Sequence, residues 1–239
     1  MIKKFKIFSG YDLIHGYSTR LGGVSAAPFD SLNLGKNTAD NPHSVEKNRA
    51  IFFNALGIDK KRCVFPAQVH SAAIQTVNRP GIVKECDALI TAEKNLFLTI
   101  QTADCFPVFL YDFQNKIAAI VHSGWRGTAQ NIVGKTIEKM SGNPAKMVAA
   151  VGPGVQQACY QVDEKTAAHF AEKYLLPDGA AHFKLDILAA IIDQITESGV
   201  ARENIEADRD CTHCRADLYY SYRRDGENSG RMMGVIGIR

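Results

Sequence analysis

The chain has 239 residues, 46% apolar and 22% charged, and its 28 basic and 25 acidic residues leave a net charge of +3. That length and balance belong to a globular protein with a full core, which excludes a disordered or fibrous chain. The small net charge argues against a nucleic-acid or anionic-membrane surface, and no apolar run approaches the ~20 residues that span a bilayer.

The opening residues Met1-Ile2-Lys3-Lys4-Phe5-Lys6 are basic without a continuous apolar run behind them. They do not read as a signal peptide, so the expected compartment is the cytosol. A strand-like segment precedes Arg20 and the pair Gly22-Gly23. Ser44 is expected to cap a first helix, with Val45, Ile51, Phe52 and Leu56 on one face and Gly57 at its end. Six short apolar runs then cover 64–69, 73–77, 88–91, 96–100, 107–111 and 117–121, rich in branched or aromatic residues. So many strands without a long helix between them predict an antiparallel or mixed sheet, not a Rossmann crossover series.

Thr128 is expected to cap a second helix, with Ile132, Val133, Thr136, Ile137 and Met140 facing inward and Ser141-Gly142 ending it. Gly152-Pro153-Gly154 follows a strand; it lacks the third glycine and the lysine of a phosphate loop and reads as a tight turn. Asp163 opens a third helix that runs to about Tyr174. Asp186 opens a fourth, where Ile187, Leu188, Ile191, Ile192 and Ile195 form a wide apolar face before Ser198-Gly199. A last strand covers 232–238. With no linker, repeat or low-complexity tract, residues 1–239 read as one α/β domain of mixed topology.

Two segments set reactive groups among apolar strands. Thr99-Ile100-Gln101-Thr102-Ala103-Asp104-Cys105-Phe106-Pro107-Val108 carries an acid and a thiol between two strands. In Ala118-Ala119-Ile120-Val121-His122-Ser123-Gly124-Trp125-Arg126-Gly127-Thr128 a histidine ends a buried strand, and a glycine-flanked turn brings the only tryptophan and an arginine to a helix start. Pro66-Ala67-Gln68-Val69-His70-Ser71 is another strand end with a histidine. His70, Cys105 and His122 together offer two imidazoles and a thiolate. Those ligand types suit zinc, and three protein ligands leave a fourth position open, as in catalytic sites. On the residues alone, each histidine also reads as a hydrogen-bonded strand end and Cys105 as a small buried hydrophobe. The other cysteines are Cys63, Cys86, Cys159, Cys211 and Cys214. Cys211-Thr212-His213-Cys214 is a lone CxxC, and a four-cysteine zinc knuckle would need a second pair, so local structural use is expected for it.

The motifs fall in a recognisable order. His15-Gly16-Tyr17-Ser18-Thr19-Arg20-Leu21-Gly22-Gly23-Val24-Ser25 and Ser31-Leu32-Asn33-Leu34 are followed by Gln68-Val69-His70 and Asp87-Ala88-Leu89-Ile90-Thr91. After the two reactive segments come Gly152-Pro153-Gly154 with Cys159-Tyr160, then Cys211-Thr212, then Ser221-Tyr222-Arg223-Arg224-Asp225-Gly226. In this, over essentially its whole length, the chain resembles the YfiH or laccase-domain family. That family has been labelled multicopper polyphenol oxidoreductases and is described as purine nucleoside phosphorylases. The resemblance implies zinc held by His70, Cys105 and His122. It implies phosphorolysis of adenosine, inosine and S-methyl-5′-thioadenosine, with some adenosine deamination. It also implies a layered α/β/β/α fold like that of cytotoxic necrotizing factor catalytic domains. Cys214 lies outside the family pattern.

Phosphorolysis needs an anion site, a purine slot and stabilisation of charge as the glycosidic bond breaks. Arg126, beside a helix start, and Arg20 are the candidates for phosphate, each also readable as a structural arginine. Arg223-Arg224 reads as a solvated pair or as site lining, and Trp125 as a purine platform or a core wedge. Asp104 could act as acid or base, or orient a ligand; otherwise it caps a turn. Gln68 could touch substrate or be merely polar strand, and Asp87 reads as a strand-start residue. His15, His43, His169, His182 and His213 have no partner that the sequence names.

Other reaction classes stay open. A metal-free hydrolase or deamidase would use Cys105 as nucleophile and His122 as base. A copper-dependent polyphenol oxidoreductase would need many imidazoles, and seven histidines cannot furnish both a type 1 site and a trinuclear cluster, although copper could occupy an open site of this kind. A binding module without catalysis is the plainest alternative. The expected partners are nucleosides and phosphate.

Overall fold

A computed structural model describes residues 1–239. In chain order the elements are β1 (Ile2–Lys3), β2 (Leu13–Ser18), α1 (Pro42–Leu56), β3 (Cys63–Pro66), β4 (Ile74–Thr76), β5 (Gly81–Val83), β6 (Ala88–Thr91) and β7 (Phe97–Thr102). Then come β8 (Phe106–Asp112), β9 (Ile117–Ser123), α2 (Trp125–Ala129), α3 (Ile132–Lys139), β10 (Met147–Val151), β11 (Gln161–Asp163) and α4 (Glu164–Ala167). β12 (Leu175–Pro177), β13 (His182–Leu185), α5 (Ile187–Glu197), β14 (Ile205–Ala207), α6 (Tyr222–Asp225) and β15 (Met232–Ile238) complete it.

Two six-stranded sheets form, ordered β1-β2-β15-β7-β3-β5 and β14-β10-β8-β9-β6-β4, with a small third sheet β11-β13-β12. Both large sheets are mixed, as predicted: β3 runs parallel to β5 and β7, while β15 is antiparallel to β2 and β7. In the second sheet β8 and β9 are antiparallel, and β4–β6 and β10–β14 parallel.

The strands are apolar on both faces because each sheet is covered twice. From β8 and β9, Phe109, Tyr111, Ala118 and Ile120 point at the first sheet and meet Leu98, Ile100 and Ile236. Their alternates Val108, Leu110, Ala119 and Val121 point the other way, onto Ile132, Val133, Ile137, Leu188 and Ile191 of α3 and α5. On the far side of the first sheet, Phe97, Met233 and Val235 pack on Phe52, Phe53 and Leu56 of α1. The period-2 alternation of the strands thus builds the expected α/β/β/α stack. No helix is long and apolar enough to cross a membrane.

Several boundaries differ from the sequence reading. The first helix starts at Pro42 rather than after Ser44: Asn41 caps it, its side-chain oxygen accepting the His43 N–H at 2.8 Å, and proline suits the first helical position. Ile51 is only half-buried, and Phe53 takes its place on the inner face. Thr128 does not cap the second helix. It lies within α2, its hydroxyl bonded to the Gly124 carbonyl at 2.9 Å, and Asn131 at φ +58° breaks the path before α3. Asp163 caps a helix as expected, but α4 lasts one turn, because Leu175–Pro177 is drawn out to pair with β13. The apolar runs at 64–69 and 73–77 shrink to β3 and β4. Between them the N–H groups of Val69, His70 and Ser71 bond to the Asp87 carboxylate instead of a ladder. His70 therefore sits on a loop, not on a strand end.

Candidate active site and metal centre

Cys105 lies in the tight β7–β8 turn, His122 near the end of β9, and His70 on the loop after β3. Their ligand atoms lie within 4.8 Å of one another. The two imidazole rings meet edge to face with centroids 4.7 Å apart. Three local devices hold this arrangement. His70 has φ +57°, a left-handed conformation held by its N–H bond to Asp87 at 3.1 Å. His122 Nδ1 bonds to the fully buried Asp87 carboxylate at 2.8 Å, and its backbone N–H reaches the Asp87 carbonyl at 2.7 Å. Gly124 passes so near Cys105 that a Cβ there would lie 2.7 Å from the sulfur.

Charge follows this geometry. Burial alone would hold the Cys105 thiol protonated, but the adjacent His122 and His70 draw its pKa down. Burial likewise opposes the imidazolium of His122, and Cys105 with Asp87 overcomes it, so that pKa rises. Asp87 is pushed up by burial yet held down at about 2 by His122 and Ser71. The donor set fits a zinc-class ion. It offers a thiolate and two imidazoles at one point, and Asp87 fixes Nδ1 of His122 so that Nε2 is the nitrogen left to bind. The same set would accept copper.

This cluster lies in the wall of an open cavity of about 1170 Å³. Around it stand the aromatic rings of Trp125, Tyr160 and Tyr222 and the guanidinium groups of Arg126, Arg223 and Arg231. Arg126 lies over Trp125, 4.4 Å from the ring centroid, and Arg223 over Tyr160 at 5.1 Å. Arg126 belongs to the second residue of α2, a helix of only five residues.

The sequence candidates divide on this map. Gln68, His70, Asp104, Cys105, His122 and Arg126 all line the cavity. Gln68 uses both ends of its amide on the backbone of Gln101, each at 2.8 Å, which ties the chain after β3 to β7. Asp104, at φ +84°, accepts the Thr212 hydroxyl on one oxygen and the Arg223 N–H on the other, both at 2.6 Å. Arg20 is not brought to the cavity. Its guanidinium is held by the carbonyls of Asp30 and Ala216 and stacks on Tyr220. The pair Arg223-Arg224 splits: Arg223 faces the cavity, while Arg224 binds the carbonyls of Thr212, His213 and Tyr219.

Sequence reasoning missed the grip of Asp87 on both histidines, and it missed Arg231, Tyr160 and Tyr222 as lining. The available signal for Asp87 was an acid placed directly against the apolar run Ala88-Leu89-Ile90.

Residues 14–239 match the family described as multi-copper polyphenol oxidoreductase laccase. The chain belongs to this family. Among its curated relatives, purine nucleoside phosphorylase YlmD of Bacillus subtilis is 34% identical over 95% of this chain and 89% of that protein. A purine nucleoside phosphorylase of Deinococcus radiodurans is 38% identical over 94% and 88%. Among solved structures, the hypothetical protein YfiH of Bacillus licheniformis superposes with a TM-score of 0.92 at 31% identity, covering 95% of this chain and 93% of the other. YlmD from Geobacillus stearothermophilus gives 0.90 at 30% identity, over 98% and 94%.

Proposed function

We propose that this chain, as one catalytic unit over residues 1–239, is a purine nucleoside phosphorylase. Its substrates are adenosine, inosine and S-methyl-5′-thioadenosine, and it deaminates adenosine to a lesser extent. The observation that carries this reading is the cavity itself: a two-imidazole, one-thiolate cluster set among three aromatic rings and three arginines. Relatives with the same family membership bear the name purine nucleoside phosphorylase.

His70, Cys105 and His122 would hold zinc. When bound, it supplies Lewis acidity and an open coordination position. Trp125, Tyr160 and Tyr222 offer flat faces for a purine, and Arg126 and Arg223 offer planar cations for inorganic phosphate. Held against C1′ of the ribose, phosphate forms the new C–O bond while the purine leaves with the electron pair of the C–N bond. Asp104 spends both oxygens on Thr212 and Arg223, which favours an orienting role over proton transfer. Gln68 shapes the wall beside Gln101.

One observation favours a second reading. Cys105, His122 and Asp87 lie in line, the order of a nucleophile, its base and the carboxylate that orients it, as in a metal-free hydrolase. Activity that survives chelation but not thiol alkylation would select it.

The direct test is incubation with adenosine, with and without phosphate. With phosphate, adenine and ribose 1-phosphate should dominate over inosine. Without it, adenine should vanish and inosine persist. Cys105→Ala should abolish both reactions. Adenine formed equally well without phosphate would make the protein a hydrolase, and phosphorolysis in the Cys105→Ala variant would move the site elsewhere.

A further inference from the structure

The lone CxxC finds a third thiol in the fold. Cys159, from the turn before Tyr160, joins Cys211 and Cys214, and the three sulfurs lie within 4.8 Å of one another. Cys159 and Cys214 are 3.3 Å apart. A tetrahedral ion bonded to sulfur at about 2.3 Å would set its thiolates about 3.8 Å apart. The measured pair is 0.5 Å short of that value and no pair is more than 1 Å beyond it, so small side-chain rotations would seat the ion.

The surroundings are those of a thiolate. The Gln156 N–H donates to the Cys211 sulfur at 3.4 Å. Three thiols packed this closely cannot ionise together unless a cation relieves their repulsion. The set contains only sulfur, which selects soft cations over magnesium or calcium.

We propose that Cys159, Cys211 and Cys214 form a second metal site, a three-thiolate site for a thiophilic cation of the zinc class. Cys214 is exposed, so the fourth coordination position opens to water. The ion would join two segments of the cavity wall. Cys159 precedes Tyr160, and Cys211 precedes Thr212, whose hydroxyl holds Asp104. Its role is to fix that wall, and it does not depend on which reaction the cavity performs.

The site can be read apart from the first one by adding Co²⁺, a spectroscopic stand-in for zinc, to reduced Cys105→Ser protein. With the first site stripped of its thiolate, any sulfur-to-cobalt charge-transfer band must come from the second. One equivalent should bind with the intensity of three thiolates. In the Cys105→Ser, Cys214→Ser double variant the band should lose one thiolate's share and the dissociation constant should rise at least about tenfold. In unmodified protein, zinc should slow alkylation of Cys159 and Cys214 as read by mass spectrometry, a measurement that needs no variant. Absence of the band in the single variant, a band indifferent to Cys214, or alkylation unaffected by zinc would each overturn the proposal.

Discussion

Asp87→Asn is the most informative single change, because one carboxylate organises both histidines. One oxygen takes the His70 N–H at 3.1 Å and His122 Nδ1 at 2.8 Å. The other takes the N–H groups of Val69 and Ser71 at 3.3 and 2.7 Å and the Ser71 hydroxyl at 2.9 Å. Asparagine keeps one acceptor and turns the other into a donor. If the NH₂ faces His122, that ring must shift its proton to Nε2, the nitrogen needed for a metal. If it faces Ser71, the N–H groups of exposed Val69 and half-buried Ser71 lose their partner. An orphaned buried donor costs about 1–3 kcal/mol, and since water reaches Val69 and His70 the whole loss is expected to be about 1–3 kcal/mol. For a chain of this size that lowers Tm by roughly 2–12 °C. Zinc affinity should fall ~10–100-fold, the usual effect of removing the partner of a ligating histidine. Competition with a chromophoric chelator measures the affinity, and calorimetry the Tm. If Tm falls while zinc affinity stays within about twofold, Asp87 supports the loop alone and the reasoning fails.

Two further outcomes follow from single side chains. Arg126→Ala should raise the phosphate KM about 10–100-fold, the value of a charge-assisted contact, with little change in nucleoside KM. Arg126→Lys should also be impaired, since an ammonium cannot reproduce a two-pronged grip; an unchanged phosphate KM in either variant would assign Arg126 to structure. His15 is buried, its Nε2 accepts the Phe5 N–H at 3.0 Å, and burial with the charge of Lys4 lowers its pKa from 6.5 to about 4. Between those values the unfolded chain binds the proton and the folded one does not. His15 therefore costs the protein up to about 3 kcal/mol of stability as pH falls from 6.5 to 4. Urea unfolding at pH 7 and pH 4.5 should show this loss, reduced in His15→Gln; equal losses in both proteins would refute it.

The layers were legible because period-2 alternation survives in strands covered on both faces, as in Val108 through Tyr111 and Ala118 through Val121. Cys105 and His122 were legible for the same reason: each is a reactive group amid an apolar run. Asp87 was not, since its role depends on three N–H groups sixteen to eighteen residues earlier in the chain. Arg20 and Arg126 look alike in sequence, each within two residues of a glycine, and only the fold commits the first to Asp30 and Ala216 and brings the second to the cavity. The break at Asn131 is not legible because the apolar spacing starts only at Ile132, beyond it, and neither glycine nor proline marks residues 128–131. Cys159 could not be joined to the CxxC, because local spacing says nothing about a partner in a distant turn.

The position of β15 has a bearing on how the chain reaches this state. It lies between β2 and β7, pairing Val235 with Gly16 on one side and with Thr99 on the other. Its union with β2 joins segments from opposite ends of the sequence, so it is among the slowest contacts to form. Until it does, β2 and β7 each present a bare edge of unpaired amides and carbonyls, with Leu98 and Ile100 uncovered beside them. Such a species invites pairing with another copy. Refolding yield should therefore be governed by protein concentration, and a short peptide of the β15 sequence would compete for the same open slot.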